Sequence, residues 1–233
     1  MVTVVAPGCP ALRRGVKTLG LLEIAAGVLF DPANTFRRLA AAPPLGKALI
    51  LATLVNGATG LTGYFTLRAL PAGEAGDLAS AFLVGMLPAL SLTGFFLWYV
   101  KWFVYGGFLH FIAQLLGGGG RPVATLTVYA LAALPDVFIV PVQAILVLLR
   151  PPEITASVVQ GIAGLILFAW AVILLVLGLR EMHGFSSGHA AATVLGPVVG
   201  AVFVVIVLFA LVLAGVAPLL PDMEALRLYR SWP

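Results

Sequence analysis

Long apolar runs, cut by short clusters of proline, glycine and charge, make up most of this chain from Gly46 onward. A helix crossing a hydrocarbon core of about 30 Å needs roughly 20 mostly apolar residues. Five stretches reach that length. Gly46–Leu67 follows a Pro43-Pro44 stop, and a second stretch ends at Leu116, before "GGGG". Val123–Leu149 is bracketed by Arg121-Pro122 and Arg150-Pro151-Pro152; Ile154–Leu179 runs into "LREMHGFSSGH"; Ala190–Leu213 comes last. The pattern predicts an all-α integral membrane protein with five transmembrane helices, at about 46–67, 95–116, 123–149, 154–179 and 190–213. The membrane domain then covers 46–220, and 221–233 form a short polar tail.

The second stretch is too long for one straight span. Ser80–Leu116 has 37 residues, roughly 55 Å as a continuous helix. A division at "PALSLTG" (Pro88–Gly94) gives an outer-surface helix at about 78–92 and a span starting near Phe95. "FFLWYVKWFVY" then supplies an aromatic belt, with Trp98, Tyr99 and Trp102 at the outer interface.

Residues 1–45 predict N-terminal interfacial amphipathic helices. In "FDPANTFRRLAAAPP", Asp31 suits an N-cap and Pro32 the first helical position. Phe36, Leu39 and Ala40 share a face, flanked by Arg37 and Arg38. Upstream, "VKTLGLLEIAAGVLF" is helix-compatible and too short to span. Both helices are expected to lie at the headgroup level with apolar faces inward.

Composition agrees. The chain of 233 residues is 61% hydrophobic and only 9% charged, too little charge to cover a water-facing surface. The net charge of +4 does not point to nucleic acid, because the basic residues crowd the N-terminal end, where they set topology and meet anionic lipid. With the N-terminus inside, eight basic residues near span ends fall on the cytoplasmic side and four on the other. That bias predicts a multi-pass cell-membrane protein with a cytoplasmic N-terminus and the C-terminus outside. Cys9 is the sole cysteine; "VAPGCP" has too short an apolar lead for a lipoprotein signal.

Polar residues inside the spans are the functional candidates, since an intramembrane acid costs about 2.5–3.5 kcal/mol to insert. Asp136 follows Pro135 near the middle of the third span, and Lys101 lies at similar depth in the second, counted from the "GGGGR" turn. The two are expected to face each other as a charge pair or through water; otherwise Lys101 snorkels outward. His110, with Gln114 one turn on, together with Asn56 and Gln143, fits interhelical hydrogen bonding or a pathway lining. Gly57, Gly60 and Gly63, then Gly161 and Gly164, then Gly196 and Gly200 are expected to pack the bundle, with Gly196/Gly200 also offering a dimer seam.

Four stretches in one order resemble prokaryotic members of the Ypt/Rab-interacting protein (Yip) family. "DPANTFRRLA" is similar to the family's entry helix, "LHFIAQLLGGGG" to its histidine-bearing helix end and glycine-rich loop, "YALAALPDVF" to its third span with a mid-helix proline, and "GLREMHGFSSGHAA" to the link between spans four and five. His189 stands where the family usually has lysine. The resemblance implies five spans, a cytoplasmic N-terminus and no enzymatic activity; eukaryotic relatives are linked to Rab GTPases and vesicle traffic.

Other chemistries are set aside. "GFSSGHA" nearly matches the GxSG of intramembrane serine proteases, but Ser187 replaces the second glycine. Glu181, His183 and His189 lack the spacing of a metal site, so neither metal nor cofactor is expected. "GGGGRP" lacks the lysine and hydroxyl of a phosphate loop. The expected function is non-enzymatic: binding lipid or protein partners in membrane organisation, through a basic cytoplasmic face of Arg37, Arg38, Arg121, Arg180 and His183. The expected partners are anionic lipid headgroups and a membrane-protein partner or second copy, with no nucleic acid. The alternative is a small-molecule transporter or lipid scramblase whose polar groove joins Asp136, Lys101, His110 and Asn56, running between spans one to three.

Overall fold

In the computed structural model, residues 19–69 and 78–216 are described, and every element among them is helical. Cys9, Arg13, Arg14, Lys17 and the 221–233 tail lie outside the described residues. Two short helices, α1 (Leu21–Phe30) and α2 (Pro32–Ala40), precede α3 (Leu45–Ala69) and α4 (Leu78–Leu115). The third apolar stretch forms α5 (Pro122–Leu131), a 3₁₀ segment (Leu134–Phe138) and α6 (Ile139–Leu149); α7 (Glu153–His183) and α8 (Ser187–Val216) follow. Five stretches are long and apolar enough to cross a membrane: Leu45–Thr66, Gly85–Leu115, Pro122–Leu149, Glu153–His183 and Ser187–Gly215. The chain is an all-helical, multi-pass membrane protein.

The division expected at Pro88–Gly94 is absent: α4 is one helix of 38 residues with Pro88 inside it. Proline removes one backbone donor and strains one turn. In an apolar stretch, breaking the helix outright would strip several more hydrogen bonds with nothing to replace them. The third stretch, in contrast, is interrupted. Pro135 cannot donate, and the Asp136 N–H bonds Ala133 O at 3.1 Å, three residues back. Three-residue spacing carries the chain past the proline.

Asp31 does precede α2, but it makes no side-chain cap. Its carboxylate instead accepts from the Asn34 side-chain amide at 2.9 and 3.0 Å. The α2 helix is amphipathic as expected, burying Thr35, Phe36 and Leu39 and exposing Arg37 and Arg38. The α1 helix is not. It buries Ile24 and Val28 yet leaves Leu22 85% and Phe30 79% exposed, with Glu23 its only polar residue. The helix is apolar on both sides.

The core is concentrated at one end of the bundle. Among the described side chains, the buried ones in α3 are Ala48, Leu51, Ala52 and Val55; in α4 they start at Trp102; in α7 they start at Leu167; in α8 they are Ala190, Thr193 and Val194. All lie toward the end that carries Arg37, Arg121 and Arg180, called the basic end below. The far halves of the spans expose apolar side chains, such as Leu97, Leu165 and Phe203.

The glycines that pack this core differ from those expected. A Cβ on Gly60, Gly63, Gly161, Gly164, Gly196 or Gly200 would meet nothing within 4 Å, and one on Gly57 would only touch Phe95 at 3.9 Å. Close approaches occur instead at Gly106, where a Cβ would come 2.7 Å from Leu126, and at Gly178, against Val128 and Phe36. Helical small-residue spacing marks where backbones could approach, and the far halves do not converge there.

Candidate functional site

The basic end is built from α2, the ends of α4 and α7, and the starts of α5 and α8. The α4 helix ends in the glycine run: Gly117 adopts φ 85°, and the Gly118 N–H returns to Ala113 O at 2.9 Å. Gln114 Nε2 donates to Gly120 O at 3.0 Å and closes the loop. The α7 helix continues past the expected stop at Leu179 to His183 and ends at Gly184, whose φ of 71° suits glycine.

His183 is 6% exposed. It is expected on the contact face, and the structure buries it beneath that face. The glycine loop covers its ring, and a Cβ on either Gly118 or Gly120 would come 2.7 Å from His183 Nδ1. Glycine is required there because the imidazole occupies the space of a side chain. The Gly119 N–H also donates to the His183 carbonyl at 3.3 Å.

All three histidines of the chain meet at this end. Thr125 Oγ1 lies 2.8 Å from His183 Nε2 and 3.2 Å from His110 Nδ1. The hydroxyl has one proton, so it can donate to one ring at most, and at least one of the two contacts has a ring N–H as its donor. His183 stacks on Phe185 at 5.3 Å, and Phe185 on His189 at 6.1 Å. Ser186 caps α8: its Oγ accepts from the His189 N–H at 3.3 Å and lies 2.8 Å from His189 Nδ1.

Around this cluster runs a rim of charge. Glu181 joins two elements: Arg37 Nε donates to its Oε2 at 3.2 Å, and Arg180 to its Oε1 at 2.7 Å. Arg38 reaches Glu23 at 3.4 Å with both side chains more than half exposed, a pairing worth at most about 1 kcal/mol. Lys47 donates to Leu19 O at 2.5 Å and ties α3 to the residues before α1. Arg121 is exposed at the N-terminus of α5. Of the five residues expected to form the contact face, the arginines lie on the rim and His183 lies beneath it.

The intramembrane candidates do not form one groove. The pairs His110–Thr125 and Tyr105–Tyr129 set an antiparallel register that puts Lys101 level with Ala133, close to the depth of Asp136. Their directions differ. Lys101 is exposed on the outer face of α4, beside Leu97 and Val104. Among the described residues the ion pairs are Arg37–Glu181, Arg38–Glu23 and Arg180–Glu181, so Lys101 and Asp136 make no direct pair. Asn56 Nδ2 donates to Phe95 O at 3.3 Å and joins α3 to α4. The expected aromatic belt also turns inward: Tyr99 donates to Thr53 Oγ1 at 2.9 Å, and Trp102, 8% exposed, to Leu126 O at 3.1 Å.

Asp136 borders a groove of about 250 Å³ between α3 and α7, with the 3₁₀ segment at its base. Thr59, Ile139, Gly164, Leu167, Phe168 and Ala171 complete its walls. Four of these walls come from α7, outside the first three spans between which a polar path was expected.

Residues 26–213 match the family model described as the Yip1 domain. The match begins inside α1 and ends near the close of α8, taking in the five apolar stretches, the glycine loop and the histidine cluster. No curated protein and no solved structure matches the chain.

Proposed function

This chain belongs to the Yip1 domain family, and from that premise we propose that it is a non-enzymatic membrane-organising protein that binds anionic lipid headgroups through its basic end. One observation carries this reading. The α2 helix buries Phe36 and Leu39 against the bundle and presents Arg37 and Arg38 outward, with side chains 65% and 58% exposed. Arg121 and Arg180 belong to the same rim, where the basic side chains Arg37, Arg38, Lys47, Arg121 and Arg180 outnumber the carboxylates Glu23, Asp31 and Glu181. A surplus of guanidinium beside apolar surface suits phosphate, which each arginine can take in a two-pronged hydrogen bond. In this reading the basic end faces the cytoplasm of a cell membrane and the C-terminus faces out. A protein partner or second copy would dock on the same rim.

The test is lipid retention. Purified protein in detergent is offered phosphatidylglycerol and phosphatidylcholine with matched acyl chains and observed by native mass spectrometry. Preference for phosphatidylglycerol should fall with salt and be lost in a triple variant, Arg37→Gln, Arg38→Gln, Arg121→Gln. Equal retention of both lipids by the unaltered protein refutes the reading.

A further inference from the structure

We propose that the groove at Asp136 is a second lipid site, one that takes the primary ammonium group of an amine-bearing amphiphile from the bilayer. It lies near the middle of the third stretch, where the 3₁₀ segment meets α3 and α7, and it does not depend on the basic rim.

The groove offers acceptors. Among the described residues the Asp136 carboxylate has neither an ion pair nor a hydrogen-bond donor, although a bare carboxylate inside a span is costly. Thr59 has one hydroxyl proton, already committed to Val55 O at 3.0 Å or Asn56 O at 3.1 Å, so its oxygen is left to accept. Residues 136, 139 and 143 follow one face, three residues apart through the 3₁₀ turn and four through α6. Ile139 lines the groove, whereas Gln143, one turn on and only 7% exposed, lies outside its lining. Acceptors without matching donors suit an ammonium, which brings three N–H groups and the opposite charge.

The break at Pro135 explains why the site is there. It turns the third stretch into 3₁₀ geometry and leaves Asp136 exposed between two helices that the core at the basic end does not draw together. The mouth is apolar: Phe168 is 64% and Leu165 69% exposed. A ligand with acyl chains matches both surfaces, its ammonium on Asp136 and its chains along α7.

The experiment compares phosphatidylethanolamine with phosphatidylcholine of the same acyl chains, using the full chain in detergent and native mass spectrometry. The choline headgroup keeps the positive charge but has no N–H to donate. The protein should retain phosphatidylethanolamine about tenfold better, the size of a charge-assisted hydrogen bond. Asp136→Asn should abolish that preference. Gly164→Leu should do the same without altering charge, because a Cβ there meets nothing within 4 Å and the side chain can fill the groove without a clash. Should Asp136→Asn not fold, Gly164→Leu decides. No preference in the unaltered protein, or one that survives either groove variant, overturns the proposal. Displacement by soluble ethanolamine at equal concentration also overturns it, since the ligand would then be a free amine. The rim triple variant should change phosphatidylglycerol retention alone, so failure of the rim reading and failure of this one can be told apart.

Discussion

Thr125 has one proton for two imidazoles, and that shortage makes it the residue on which the basic end turns. Thr125→Val would leave His183 Nε2 and His110 Nδ1 without their shared partner, at a cost of about 1–3 kcal/mol for buried groups. Thr125→Ser should retain most of the stability, because the hydroxyl survives. Unfolding in mixed micelles measures the difference. Glycines give a sharper contrast. Gly178→Val should cost about 1–3 kcal/mol by forcing α7 away from Val128 and Phe36, whereas Gly161→Val, in open space, should stay within about 0.5 kcal/mol. Equal effects at the two positions would contradict the packing described. Sequence spacing favours the wrong one, since Gly161 has Gly164 one turn on and Gly178 stands alone; only the neighbour across the gap distinguishes them.

Among the elements, α4 departs furthest from its pattern. Its 38 residues exceed the usual span length, and Pro88 invites a break that does not occur. Spin labels at Phe82→Cys and Phe111→Cys, with Cys9 replaced by serine, should lie about 44 Å apart along a continuous helix. A distance much shorter than that would restore the divided element. The opposite error arises in the third stretch, where one uninterrupted span was expected and Pro135 produces two helices joined by a 3₁₀ turn. Both prolines read alike in sequence. Asp136 bonding back to Ala133 is what sets the second apart. The α2 helix was legible because its burial follows its own periodicity. The α1 helix was less so, because an all-apolar helix does not reveal which side it packs.

Across the whole molecule, packing is lopsided, tight at the basic end and open at the far end. Leu109→Ala, Leu174→Ala and Leu179→Ala, all at fully buried positions, should each destabilise by about 1–3 kcal/mol. Leu97→Ala, Leu165→Ala and Leu211→Ala, all more than half exposed, should change stability little, because lipid replaces the lost contacts. A titration with denaturing detergent would show this asymmetry, and a uniform cost along the spans would rule it out. The same lopsidedness explains the two candidate sites: the converged end gathers charge and histidine into a rim, and the separated end leaves a groove.

Length, hydropathy and turn residues determined the class of this protein, its five apolar stretches and the amphipathic character of α2, because hydrocarbon imposes its constraint on each segment separately and every span must satisfy its own backbone. Side-chain direction was decided only by the tertiary structure. Lys101 and Asp136 lie at nearly the same depth yet make no direct ion pair; His183 is on a loop border in sequence and beneath a glycine loop in space. Depth is counted along one chain, but facing depends on how neighbouring helices rotate against each other. Within a membrane, close packing rather than the hydrophobic effect sets that rotation.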